Sequence, residues 1–123
     1  MESQKVIRVT PEGAKGVPLT PCAFVPAETV IDGDPKEQAA IMLSSGDDSF
    51  MVGVWESTPY AETFDGYPSN EFCHVLKGKA TLTDLEGQSH TFVAGDSYIV
   101  PKGFRGTFRV EETFRKYFVL SSV

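Results

Sequence analysis

From residue 71 onward the chain alternates apolar and polar positions in short runs: EFCHVL (71–76), KATLT (79–83), SHTFV (89–93), SYIV (97–100), GTFRV (106–110) and FRKYFVL (114–120). Turn-forming residues separate them at Gly78, Asp84 to Gly87, Gly95 and Asp96, Lys102 and Gly103, and Glu111 and Glu112. A period of two bounded by such residues predicts half-buried strands. Upstream, the same reading predicts strands over KVIRVT (5–10), CAFV (22–25), AAIML (39–43) and FMVGVWES (50–57). Between them lie an irregular arm from Pro11 to Pro21, a turn over residues 30–38 and a polar turn over 44–49. Thr58 and Pro59 are read as ending a strand, which leaves 60–70 as a loop. No helical apolar periodicity is sustained, so the fold class is all-β.

A chain of 123 residues with 41% hydrophobic content fits one domain, 1–123, with a motif core over 53–120 and an N-terminal arm over 1–30. The net charge of −6 comes with scattered basic residues, so nucleic acid is not expected as a partner. No apolar run is long enough to cross a bilayer, and residues 1–10 lack the apolar core of a signal peptide, which leads to an expectation of a cytoplasmic protein without membrane association. Cys22 and Cys73, far apart and without further cysteines, read as free thiols.

Two spaced motifs stand out. The first is Glu71 with Gly78; the second is Gly95, Pro101, Gly103 and Gly106. With GVWESTP (53–59), LTD (82–84) and RKYFV (115–119), they resemble the two-motif signature of the cupins, in particular a subfamily of largely unknown function related to the ethanolamine-utilisation cupin and, more distantly, to ureidoglycine aminohydrolase-type cupins. The resemblance implies a double-stranded β-helix, or jelly-roll, barrel. Metal-binding cupins carry His-x-His just before the motif glutamate and a further histidine after the Pro-x-Gly. Here the first pair of places holds Asp65 and Tyr67, or Phe64 and Gly66, and the last holds Gly106. A transition-metal site needs three or four converging ligands, and only His74 and His90 exist, so no metal or other cofactor is expected.

Strand parity then sorts the side chains. The resemblance directs Glu71 into the barrel, so Cys73 and Val75 face inward with it, while Phe72, His74 and Leu76 face outward. That outward row is too apolar for a solvated face and predicts a homodimer. In FRKYFVL, Lys116 shares the face of Phe114, Phe118 and Leu120. A buried ammonium needs a counter-charge, and Glu71 is the inward carboxylate available to it. Trp55, Tyr60, Tyr67 and Phe108 are placed to form an aromatic wall. Cys73 has no base to activate it and reads as a small core residue, although its inward position keeps it among the ligand-binding candidates. The candidate ligand-binding set is therefore Trp55, Tyr67, Glu71, Cys73, Phe108 and Lys116. The expected role is metal-free binding of a small polar organic molecule. One alternative is an isomerase or lyase in which Glu71, its pKa raised by burial, is a general base partnered by Tyr67, with Lys116 as a further catalytic candidate. The other is a non-catalytic structural or regulatory dimer whose barrel is plugged by Phe104, Phe108 and Trp55.

Overall fold

A computed structural model describes residues 4–122. The strands are β1 (Gly13–Ala14), β2 (Val17–Pro18), β3 (Thr20–Cys22), β4 (Val30–Gly33), β5 (Glu37–Ser44), β6 (Phe50–Ser57), β7 (Tyr60–Asp65), β8 (Asn70–Asp84), β9 (Ser89–Val93), β10 (Ser97–Val100) and β11 (Arg105–Ser121), with one 3-10 turn at Ala27–Thr29. All pairings among them are antiparallel. The long strands β8 and β11 pair along their whole length and bend together, so each serves both walls of a barrel. One wall runs β10, the first half of β8, the second half of β11, β6, β5 and β3; the other runs β9, the second half of β8, the first half of β11, β7 and β4. This is the expected jelly-roll β architecture.

The bend corrects two expected turns. Gly78 and Glu111–Glu112 are not hairpin turns but bulges inside continuous strands. A left-handed glycine serves either purpose. Gly78 has φ +84°, and a Cβ there would fall on the Thr113 carbonyl oxygen. The bulge also switches parity: Glu71, Cys73 and Val75 point inward before it, Ala80 and Leu82 after it.

Upstream, four further expectations change. Residues 5–9 form no strand, and Thr10 makes only an isolated bridge to Gly13. The strand expected over 22–25 stops at Cys22, because Phe24 and Val25 spend their N–H groups on the Glu37 carboxylate. Residues 30–38 are the ends of two strands around a shorter turn. The stretch 60–70 contains β7, with Thr58 and Pro59 as the connection from β6. The first three residues of the arm and Val123 lie outside the described residues. From Gly13 the arm packs in cis: Ala14, Val17 and Leu19 lie with Leu76 and Tyr117 over Ala40, Met42 and Val54 on the outside of the first wall.

Candidate functional site

The barrel interior is not plugged. A cavity of about 470 Å³ reaches from the loop at Phe24–Pro26 to Glu71 and Lys116. Trp55 and Phe108 line its sides rather than filling it, and Phe104 is not part of its lining.

At its floor the parity argument holds. Lys116 lies opposite Val75 on β8 and Trp55 on β6, and its stem runs along the interior so that Nζ stands 2.9 Å from Glu71 Oε2. Glu71 is 4% exposed and Lys116 8%. The Tyr67 hydroxyl donates to Glu71 Oε1, and the Cys73 thiol donates to Oε2 at 3.4 Å. The ammonium also lies 5.1 Å from the Trp55 ring centroid and 5.8 Å from that of Phe108, within cation–π range. Five of the six expected ligand-binding residues, Trp55, Tyr67, Glu71, Phe108 and Lys116, line the cavity, whereas Cys73 is fully buried behind Glu71 and does not.

The second motif explains how Tyr67 is held. Pro101–Phe104 turn beneath the 66–69 loop, where the Phe104 carbonyl accepts the Tyr67 N–H at 2.9 Å and the Tyr67 carbonyl accepts the Gly103 N–H at 2.8 Å. The Tyr67 ring packs 4.8 Å from that of Phe64.

Charge at the floor differs from one expectation. Burial alone would raise the Glu71 pKa, but the Lys116 charge and the hydrogen bonds from Lys116, Tyr67 and Cys73 outweigh it and hold Glu71 below the ordinary carboxylate value. Glu71 is therefore a locked carboxylate and not the raised-pKa base anticipated from burial. Burial would likewise depress Lys116, but Cys73, Glu71, Tyr98 and Tyr67, each negative when ionised, raise it well above the usual lysine value. Burial pushes the Cys73 thiol up to about 12, so at neutral pH it is no thiolate, and Glu71 is the operative counter-charge.

Three further residues escaped the sequence reading. Glu62 on β7 is buried in the cavity lining, accepts from the Tyr60 hydroxyl at 2.5 Å, and has the Thr29 hydroxyl 3.2 Å from its other oxygen. Burial raises its pKa, and no cation is paired with it among the described residues. The alternation Tyr60, Glu62, Phe64 was the available signal. Glu37 accepts the Trp55 indole N–H at 3.0 Å together with the Phe24 N–H at 3.0 Å, so one carboxylate fixes both a wall and the cavity mouth. Tyr98, on the inward face of β10, brings a buried hydroxyl to the floor.

The donor set does not suit a transition metal. Among the described residues no three His, Cys, Asp or Glu side chains converge. Asp65 is turned outward to Arg105 at 2.8 Å, and His74 binds Ser97 on the outer face. At Gly106, the place of the second-motif histidine, a Cβ would fall on the Thr83 carbonyl oxygen. The cation beside Glu71 is an ammonium belonging to the chain itself.

Residues 44–118 match the model of a family described as "EutQ-like cupin domain". No curated protein matches the chain. Among solved structures, a DUF861-family protein of unknown function from Pseudomonas syringae pv. tomato superposes with TM-score 0.77 at 23% identity, over 84% of this chain and 44% of that one. The chain thus spans less than half the length of that relative. A putative ethanolamine utilization protein Q from Salmonella typhimurium gives TM-score 0.60 at 20% identity over 71% of this chain and 70% of that one. The Cnp3 cupin domain of Schizosaccharomyces pombe gives 0.58 at 19%, over 71% and 65%. At these identities the likeness establishes the fold.

Proposed function

The chain belongs to the EutQ-like cupin family, and from that premise we propose that it binds a small organic molecule in its barrel without a metal ion. The observation that carries this reading is the open cavity of about 470 Å³ ending on the Lys116–Glu71 pair. Its size falls in the range of small-molecule sites, and aromatic walls over a few convergent polar groups are the usual composition of such sites. The ligand has an apolar body against Trp55, Phe64 and Phe108 and a polar end at Lys116, Tyr67 and Tyr98. A thermal-shift screen of small carboxylates, amines, sugars and aromatic carbonyl compounds, each with and without divalent metals, tests it. The expected result is stabilisation by an organic compound that chelator does not diminish. One transition-metal ion per chain surviving dialysis, or ligands that act only with added metal, would overturn the metal-free reading.

A second reading, proton transfer by an isomerase or lyase, is favoured by one observation. Glu62 and Glu71 line the same cavity with their pKa values displaced in opposite directions, and such a split assigns acid and base roles. On this reading Glu62 is the proton donor, with Tyr60 and Thr29 orienting it.

The proposed assembly is a homodimer through the outer face of the first wall. There Ile99, Phe72, Val119, Val52 and Leu43 are successive register partners across five strands. The N-terminal hairpin covers the neighbouring residues but leaves Ile99 66% and Phe72 46% exposed. Light scattering at micromolar concentration is expected to report a dimer, and Phe72→Glu a folded monomer; a monomeric native protein would show that this row stays in solvent. A cytoplasmic setting is proposed from the two unpaired thiols. No helix among the described residues is long and apolar enough to cross a membrane.

A further inference from the structure

The Tyr98 hydroxyl is buried and has no hydrogen-bond partner, alone in this among the buried side-chain oxygens and nitrogens of the described residues. Leaving a buried hydroxyl unpaired carries a real cost. Tyr98 is 8% exposed and stands opposite Cys73 in the β10–β8 register, which brings its hydroxyl to the floor of the cavity. The Cys73 sulfur is close enough for a weak hydrogen-bonding interaction with it that shifts both titrations, but sulfur is a poor acceptor and the contact falls short of a full hydrogen bond. Lys116 lines the same cavity, and its ammonium has three N–H donors and spends one on Glu71. The largely apolar cavity thus carries two donor groups, the hydroxyl and the ammonium, with hydrogen-bonding capacity left over.

We propose that the Lys116 ammonium and the Tyr98 hydroxyl form a receptor for the carbonyl oxygen of a neutral ligand, so that the molecule bound is a small carbonyl compound with a flat apolar body. The charge balance selects a neutral group over an anion. Lys116 is already neutralised by Glu71 at 2.9 Å, so a carboxylate would bring an uncompensated charge into the barrel. A carbonyl accepts both donors at no such cost. The apolar body is set by the walls, where Trp55, Phe64 and Phe108 present ring faces and edges.

This rests on the proposed binding role of the cavity, and the test separates the two. Calorimetric titration uses three probes of similar size, acetophenone, ethylbenzene and benzoate, on the native protein and on Tyr98→Phe. Native protein is expected to bind acetophenone more tightly than either of the others. Tyr98→Phe is expected to weaken acetophenone about tenfold, equivalent to about 1.4 kcal/mol, and to leave ethylbenzene unchanged. Because the hydroxyl is unpaired in the free protein, the same substitution should leave the melting midpoint unchanged or raise it, which a structural hydroxyl would not allow. Ethylbenzene bound as tightly as acetophenone, or benzoate preferred, would overturn the carbonyl receptor while sparing the cavity reading. Binding of none of the three would overturn both. A clear fall in the midpoint of Tyr98→Phe would assign the hydroxyl to the fold and overturn the proposal.

Discussion

Lys116→Met is expected to cost about 3 to 5 kcal/mol, because it strands the Glu71 carboxylate in the barrel without its counter-charge. For a chain of this size that corresponds to a fall in the melting midpoint on the order of 10 to 20 °C. The loss exceeds anything a surface ion pair gives, since both groups are nearly inaccessible to water. Glu71→Gln strands the ammonium in the same way. The double variant removes both charges together, and Met retains the apolar stem against Trp55 and Phe108, so its cost should be distinctly less than the two single costs added. Denaturant unfolding of the four proteins measures the coupling. Additive costs would mean that the 2.9 Å contact contributes nothing beyond the packing of each side chain.

The pairing is legible in the sequence because it depends only on strand parity, a period of two counted from a motif glutamate and from the apolar face of FRKYFVL. Each strand is long enough to hold its register, and a lysine among phenylalanines on one face leaves few places for its charge. Other parts of the site were hidden for identifiable reasons. Glu62 was obscured by Thr58 and Pro59, which read as the end of β structure, although a proline in the connection between two strands is compatible with both. Gly78 demanded a left-handed backbone, and a hairpin turn and a bulge make that demand equally; only the partner strand, bulged opposite it, distinguishes them. The arm's destination was unreadable because its apolar residues Ala14 and Val17 find partners at Ala40 and Val54, with no local signal linking them. The direction of the Glu71 pKa depends on how far the Lys116 stem reaches. Burial, the part that parity could supply, pulls the other way.

The two cavity carboxyls should give the protein opposite pH dependences that single substitutions can separate. Burial raises Glu62 above the ordinary value of 4.5, despite hydrogen bonds from Tyr60 and Thr29 and the nearby Lys116 charge, with Glu37 adding to the rise. The folded protein therefore keeps a proton that the unfolded chain gives up above pH 4.5. Stability from this source is full below that pH and declines as pH rises towards the folded pKa, by at most about 1.4 kcal/mol per pH unit for one group. Glu71 is lowered, so its contribution is full above 4.5 and is lost as pH falls through its folded pKa. Glu62→Gln, a mimic of the protonated acid, should remove the decline on the alkaline side of pH 4.5 and gain on the native protein as pH rises. Glu71→Gln should instead remove the decline on the acid side. Infrared spectroscopy gives a check independent of stability: a protonated carboxyl band that outlasts the ordinary carboxylate titration as pH rises above 4.5, absent in Glu62→Gln and present in Glu71→Gln. If native protein and Glu62→Gln show the same slope above pH 4.5 and no such band, Glu62 is ionised in the folded state, and the proton donor of the isomerase or lyase reading is lost with it.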